Sequence, residues 1–297
     1  VLKEKVVKNI GTKLREVSGK EKISKYVKSE HKAKNPEMKV IALGMGVQSI
    51  CLYMMSSTGY LERADHAIFS DPGAEHPDTY EYIKYLQEWK KYNNGIPIHI
   101  VSKNLYKDLL NGTNSRGVKW ASIPAFSESK GMVLRQCTGE YKIRPVIEKV
   151  RKLYGLKKGK RMPITEMWLG ITIDEAQRMN SSPHKRIVNR FPFLEMMMNR
   201  NDCKSFFKKR NHPIPIKSSC IFCPYHSDSQ WIDLKKNHPD LFKNAVKCDE
   251  AIRNSSKRGS KDKLYLHKSL IPLKDVEFNG ENQVDMFDNE CEGHCGL

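Results

Sequence analysis

Eight cysteines punctuate this chain, and the spacing of two of them is the first sign of chemistry. Cys220-Ile221-Phe222-Cys223 is a Cys-x-x-Cys knuckle, a turn that brings two sulfurs to one side, where both can bind one metal. Two more donors are needed. Cys203, seventeen residues before Cys220, and Cys137, ahead of a helix that opens near Pro145, complete the expected set. Arg135, Lys142, Lys204 and Lys217 flank these cysteines and favour thiolates. Three outcomes stay open: an iron–sulfur (4Fe-4S) cluster, a structural Zn2+, or thiols without metal. Spacing alone does not rank Cys137 and Cys203 above Cys248 or Cys51. Cys51 falls within an apolar helix and reads as a small buried hydrophobe.

The last residues carry a second thiol pair, Glu290-Cys291-Glu292-Gly293-His294-Cys295-Gly296-Leu297. They read as a short flexible tail. A mobile thiol can enter a site, react and withdraw, and His294 would help to deprotonate Cys295. The alternative is a tail that supplies metal ligands or has no chemical role.

Two glycine-bearing turns offer a different chemistry. Lys39-Val40-Ile41-Ala42-Leu43 runs into Gly44-Met45-Gly46-Val47-Gln48-Ser49, and His66-Ala67-Ile68-Phe69 runs into Ser70-Asp71-Pro72-Gly73-Ala74-Glu75. A buried strand that breaks at glycines and re-enters as a helix leaves backbone N–H groups facing outward, where an anion can bind. Two such turns on neighbouring parallel strands make a nucleotide site at the carboxyl edge of a sheet. The first turn is not a Walker A loop, because no Gly-Lys-Ser/Thr follows. It also lacks the third glycine of a dinucleotide fingerprint.

The surrounding pattern supplies elements to position these residues. Val40–Leu43, Ala67–Phe69, Ile96–Val101 and Met167–Ile171 read as strands. Helices alternate with them: one over Val47–Met55, one opened by Pro77-Asp78-Thr79 with Tyr82, Leu86 and Trp89 on its apolar face, and one through Val146, Val150 and Leu153. This rhythm predicts an α/β fold with an open, mostly parallel sheet covered on both faces. Residues 111–136 break the rhythm and are expected to form a lid or mobile insertion. Three regions follow: a basic helical N-terminal arm over 1–38, a nucleotide-binding α/β domain over 39–200, and a Cys-rich helical region over 201–297 that ends in the tail. In the last region helices are expected over Ser229–Lys236 and Pro239–Asn254. The arm holds eleven Lys/Arg against five Glu. Its apolar stripe of Leu2, Val6, Ile10, Leu14 and Val17 needs a partner, which favours packing on the domain over contact with nucleic acid.

Composition sets the outer bounds. The chain has 297 residues, enough for one large α/β domain or two modest ones. No run approaches the ~18 apolar residues that cross a membrane, and no apolar secretory segment is visible. A cytoplasmic protein without membrane contact is expected, in which cysteines serve metal or redox chemistry before disulfides. Lys and Arg number 52 against 34 Asp and Glu, a net charge of +18. That surplus attracts polyanions, either nucleic acid or a phosphorylated nucleotide, without locating a groove.

Taken in order, these motifs resemble the phosphoadenylyl-sulfate (PAPS) reductase family of the PP-loop, or adenine nucleotide alpha hydrolase-like, superfamily. Gly44 to Ser49 resembles the family's first phosphate loop. Asp71-Pro72-Gly73 with Pro77-Asp78-Thr79-Tyr80 is similar to its Asp-Thr-Gly…Pro-Glu-Thr motif. Cys137-Thr138-Gly139-Glu140-Tyr141-Lys142-Ile143-Arg144-Pro145 is similar to its Cys…Lys-x-x-Pro segment. Gly170-Ile171-Thr172-Ile173-Asp174-Glu175-Ala176-Gln177-Arg178 resembles its later Gly…Arg element, and the closing Glu-Cys-x-x-x-Cys-Gly-Leu resembles its Glu-Cys-Gly-Leu-His tail. The likeness spans about residues 39–225 and the tail.

The resemblance implies a Rossmann-like, five-stranded parallel sheet with an adenine nucleotide (PAPS, APS or ATP) over its carboxyl edge. Gly44, Gly46, Gln48, Ser49, Gly73 and Gly170 would line the nucleotide, and Asp71 would sit near the ribose or a phosphate-bound Mg2+. Lys142, Arg144 and Arg178 would balance charge on the leaving group. In a reductase, Cys295 or Cys291 attacks the sulfur of an adenylyl sulfate, and a thioredoxin-like thiol releases sulfite. The chain also departs from the pattern. ATP-splitting members carry Ser-Gly-Gly-x-Asp-Ser, whereas Gly44, Met45 and Gln48 replace the first Ser, a Gly and the Asp here. Neutral Gln48 is a poor magnesium partner, which favours the reductase. The altered tail and the missing Cys-Cys pair stand against the reductase, and the four spread cysteines are similar to those of enzymes that thiolate nucleic acid (DNA phosphorothioation or tRNA thiolation) with ATP and a sulfur donor. A third expectation is a zinc-stabilised nucleotide or nucleic-acid-binding module without turnover.

Overall fold

The computed structural model describes residues 24, 27, 28, 31–117, 123–129, 131, 132, 136–253 and 262–278. The expected arm helix through Leu2 and Val17, the loop at 254–259 and the tail with Cys291, His294 and Cys295 lie outside them. In chain order the strands are β1 (Met38–Ala42), β2 (His66–Asp71), β3 (Ile98–Ser102), β4 (Phe126–Ser127), β5 (Gly131–Met132), β6 (Thr165–Trp168), β7 (Ile187–Arg190) and β8 (Leu264–Tyr265). The helices are α1 (Val47–Ser57), α2 (Pro77–Tyr92), α3 (Leu105–Leu110), α4 (Arg144–Leu153), α5 (Pro192–Glu195), α6 (Arg200–Lys208), α7 (Asp228–Asn237) and α8 (Pro239–Arg253).

Five strands form one all-parallel sheet in the order β3-β2-β1-β6-β7, with Ala42 opposite Ile68 and Ile41 opposite Trp168. The alternation of side chains along a strand sorts them to two faces. Ile41, Ala67, Phe69 and Trp168 join one apolar cluster with α1, α2 and α6. Val40, Ala42, Ile68 and Met167 join the other with Val146 and Val150 of α4. The sheet is therefore covered on both sides, as its near-continuous apolar strands require. Val27, at the inner end of the N-terminal region, is buried in the second cluster.

Three sequence expectations shift. The third strand begins at Ile98 rather than Ile96, just past Pro97, which has no N–H to donate. The fourth ends at Trp168 rather than Ile171. A fifth, β7, appears where no strand was expected. Within 111–136, β4 pairs antiparallel with both β5 and β8, so this part of the insertion is tied to the C-terminal region. That region packs a third apolar cluster around Trp231, Phe222, Tyr141 and Cys248. Asp249 on α8 fastens it by accepting the backbone N–H groups of Leu266 and Leu273 at 2.9 Å each. Among the described residues no helix is long and apolar enough to cross a membrane.

Candidate functional site

The three adjacent strands β2, β1 and β6 release their chains at one carboxyl edge. Strand order reverses between β1 and β6, the place where open α/β sheets receive ligands. From β1 the chain passes through Gly44, Met45 and Gly46 into α1. Gly46 is the extended N-cap of α1, and no side chain caps the helix. Met45 adopts φ +62°, which costs a non-glycine residue about 1–2 kcal/mol. Ser49 turns its hydroxyl back to donate to the Gly46 carbonyl at 3.2 Å. Gln48 is 0% exposed, yet neither its amide nitrogen nor its oxygen has a hydrogen-bond partner among the described residues. Thr79 Oγ1, in the first turn of α2, is buried in the same unsatisfied state. Each such atom carries a desolvation cost on the order of 1–3 kcal/mol that a polar ligand atom would relieve.

Gly170, just beyond β6, lies on the first turn of α1. A Cβ there would stand 2.9 Å from Gln48 C and Ser49 N. The glycine thus lets two backbones touch, which places it against the first loop.

The loop after β2 is held from several sides. Asp71 Oδ1 accepts from Gly73 N at 2.7 Å and from the Tyr80 hydroxyl at 2.9 Å. Tyr80 in turn accepts from Glu75 N at 3.2 Å. Burial, with the Asp71 carboxylate next in importance, pushes the Tyr80 hydroxyl's pKa up and keeps it a donor. Gly73 sits at φ +75°, and a Cβ on it would meet Lys103 O at 2.9 Å.

The cysteine knuckle docks on this loop. Glu75 and Cys220 form an antiparallel bridge, with Ile221 N donating to Ala74 O at 2.8 Å and His76 N to Ser219 O at 3.3 Å. On the far side, Ser70 Oγ donates to Tyr141 O at 2.6 Å, drawing in a single π-helical stretch, Thr138–Ile143. The result is a cavity of about 30 Å3 lined by Cys137, Cys220, Cys223, Lys142, Ser219 and Thr138 together with apolar side chains. That is room for a water or two. Lys142 Nζ lies 3.0 Å from Glu75 Oε1, and Ser218 donates to Glu75 Oε2 at 2.7 Å.

The structure thus gathers three of the four expected metal ligands and not the fourth. Cys203 is fully buried in the cluster between α6 and α1, alongside Phe206 and Phe207. Cys248, by contrast, shares an apolar cluster with Cys137 and Cys220. None of the six described cysteines is in a disulfide. Three thiols line one cavity, the donor type that zinc and iron–sulfur centres use, but among the described residues only His76, Asp78 and His238 bring three His, Cys, Asp or Glu donor atoms within 4.8 Å of one another, and the cavity as it stands is too small for a cluster. Of the expected cations, Lys142 pairs with Glu75 and Arg178 with Glu175 at 3.0 Å, while Arg144 is exposed at the start of α4. Glu75 and Ser218 escaped the sequence reading, since nothing in the chain links position 75 to 142 or 218. No protein-family model matches this chain, and no curated protein matches it.

Proposed function

We propose that this protein is an adenine-nucleotide-dependent sulfur-transfer enzyme of the PAPS-reductase type. The observation that carries the reading is the Glu75–Cys220 bridge, which seats a thiol cavity directly on the loop that would flank a nucleotide. The unsatisfied amide of Gln48 and hydroxyl of Thr79 support a polar ligand at the same edge. A bound metal centre at Cys137, Cys220 and Cys223 would supply positive charge or redox capacity. The remaining work falls to the chain. First-turn amides of α1 and the Gln48 amide bind the nucleotide's phosphate or sulfate oxygens. Lys142, Arg144 and Arg178 offset charge that builds on the departing adenosine phosphate.

In the reaction a thiolate, assigned to Cys295 or Cys291, attacks the sulfur of the adenylyl sulfate. The S–O bond to the nucleotide breaks, and the sulfonate is left on the cysteine. A second thiol then attacks the cysteine sulfur, forming a disulfide and releasing sulfite with two electrons from the thiol pair. A second reading, thiolation of DNA or tRNA, draws on the convergence of Cys137, Cys220 and Cys223 and on the +18 charge. There ATP adenylates a nucleic-acid oxygen with loss of pyrophosphate, the outer sulfur of a persulfide displaces AMP, and a thiol then cleaves the resulting disulfide to release the thiolated nucleic acid.

The test incubates anaerobically purified protein with PAPS or APS plus a dithiol, and separately with ATP plus DNA or tRNA and a persulfide donor. Sulfite with stoichiometric adenosine phosphate supports the first reading. Nucleic-acid-stimulated pyrophosphate and AMP support the second. Every nucleotide remaining intact with folded, metal-loaded protein sinks both and leaves the binding module.

A further inference from the structure

A second cavity, of about 240 Å3, shares Ser219 with the thiol cavity and is lined by His76, Asp78, Lys217, His226 and Asp233 among others. One donor atom from each of His76, Asp78 and His238 lies within 4.8 Å of the others. They come from two places in the fold. His76 is the N-cap of α2, Asp78 lies in that helix's first turn, and His238 joins α7 to α8. His76 Nδ1 accepts the Asp78 backbone N–H at 3.3 Å, a cap bond that a metal on this nitrogen would displace, and stands 3.8 Å from Asp78 Oδ1; its Nε2 stands 3.8 Å from Asp233 Oδ2. The His238 ring meets the His76 ring at 88° with centroids 4.8 Å apart. His226 lines the same cavity, and its buried Nδ1 has no partner among the described residues.

We propose that His76, Asp78 and His238 bind one divalent first-row transition ion, zinc being the best match, with Asp233 orienting His76 from its other nitrogen. Two imidazoles and one carboxylate suit zinc and its neighbours rather than magnesium or calcium. A carboxylate behind a ligating histidine is the usual second support of such a site. Metal–ligand distances of about 2.0–2.2 Å require the donors to close by about 1 Å. Three protein donors leave a position open, and the cavity with the unsatisfied His226 nitrogen lies beside it. The ion ties the start of α2 to the α7–α8 junction, so binding stabilises the fold. This site stands independently of the sulfur-transfer reading.

Full-length protein stripped of metal is titrated with Zn2+ and Co2+. Cobalt at this site gives ligand-field bands without thiolate-to-cobalt charge transfer, whereas cobalt in the thiol cavity gives the charge-transfer band. The expected result is a cobalt component free of charge transfer and a Zn2+-dependent rise in melting temperature. His238→Ala should abolish both. Asp233→Asn should weaken Zn2+ binding about 10–100-fold. If His238→Ala fails to fold, Asp78→Asn replaces it, since Asp78 is exposed. Spectra showing charge transfer alone, no metal uptake, or unaltered binding in His238→Ala and Asp78→Asn overturn the proposal.

Discussion

Removing the Lys142 ammonium tests how the second loop is held. The Glu75 side chain is 0% exposed, with Lys142 Nζ at 3.0 Å from one oxygen and the Ser218 hydroxyl at 2.7 Å from the other. Lys142→Met keeps the apolar stem and deletes the charge, so a buried carboxylate keeps Ser218 but loses its cation. Breaking one side of a buried pair costs about 3–5 kcal/mol. A domain of roughly this size moves about 2–4 °C per kcal/mol, so the melting temperature should fall by roughly 6–20 °C. Adding Glu75→Gln removes the stranded charge and leaves an amide oxygen for Ser218. The double variant should therefore recover most of the lost stability. Turnover, if Lys142 faces the leaving group, should stay low in both. Urea unfolding of the wild type, both single variants and the double variant closes the cycle. A loss under about 1 kcal/mol in Lys142→Met, or a double variant no more stable than that single one, refutes the reasoning.

Three other perturbations have defined outcomes. Gly170→Ala pushes a methyl to 2.9 Å from the backbone of Gln48 and Ser49 and should cost about 1–3 kcal/mol of stability, read as a lower urea midpoint. Gln48→Met removes two unsatisfied buried atoms. It should stabilise the nucleotide-free protein by about 1 kcal/mol or more while calorimetry shows weaker nucleotide binding; unchanged stability would mean the amide is already satisfied. Burial holds the His226 pKa down to about 3, against an ordinary 6.5. The unfolded chain takes up a proton below 6.5 and the folded chain does not until about 3. The contribution of His226 is therefore complete above 6.5 and is lost as pH falls through that window, at up to about 1.4 kcal/mol per pH unit. His226→Gln should flatten the pH dependence of urea unfolding across the same window, and an unchanged slope would contradict this.

What the sequence discloses depends on whether the signal is local. β1, β2 and the helices after them are legible because apolar runs end at glycine or Pro-Gly turns within a few residues. β7 is not, because Asn189 and Arg190 are buried polar residues on a strand. Arg190 is tolerated there by Glu195 at 2.8 Å, Glu62 at 2.7 Å and Glu166 at 3.2 Å, partners scattered along the chain. The convergence of Cys137 with the knuckle is likewise a product of tertiary pairing, through Ser70 to Tyr141 and Glu75 to Cys220. Cys203 did carry a local warning. With Phe206 and Phe207 it falls at i, i+3 and i+4, the stripe of a helix face that packs into a core.

The two loops at the sheet edge differ in a way that bears on how a ligand would be used. Around the second loop the polar groups are satisfied in advance: Asp71 holds Gly73 and Tyr80, Glu75 holds Lys142 and Ser218, and the knuckle supplies backbone bonds. On the first loop, Gln48 buries an amide with no partner among the described residues, and Met45 adopts a costly backbone conformation; on the second side the exception is Thr79 Oγ1, at the start of α2. A satisfied second loop on the strand next to an unsatisfied first loop would let a ligand gain hydrogen bonds without having to order the side that carries the thiols. If the unsatisfied side exists for a ligand, nucleotide should protect the amides of α1 and the first turn of α2 from hydrogen exchange. The knuckle should change little. Equal protection of both sides, or none, would mean that the unsatisfied atoms serve something other than ligand binding.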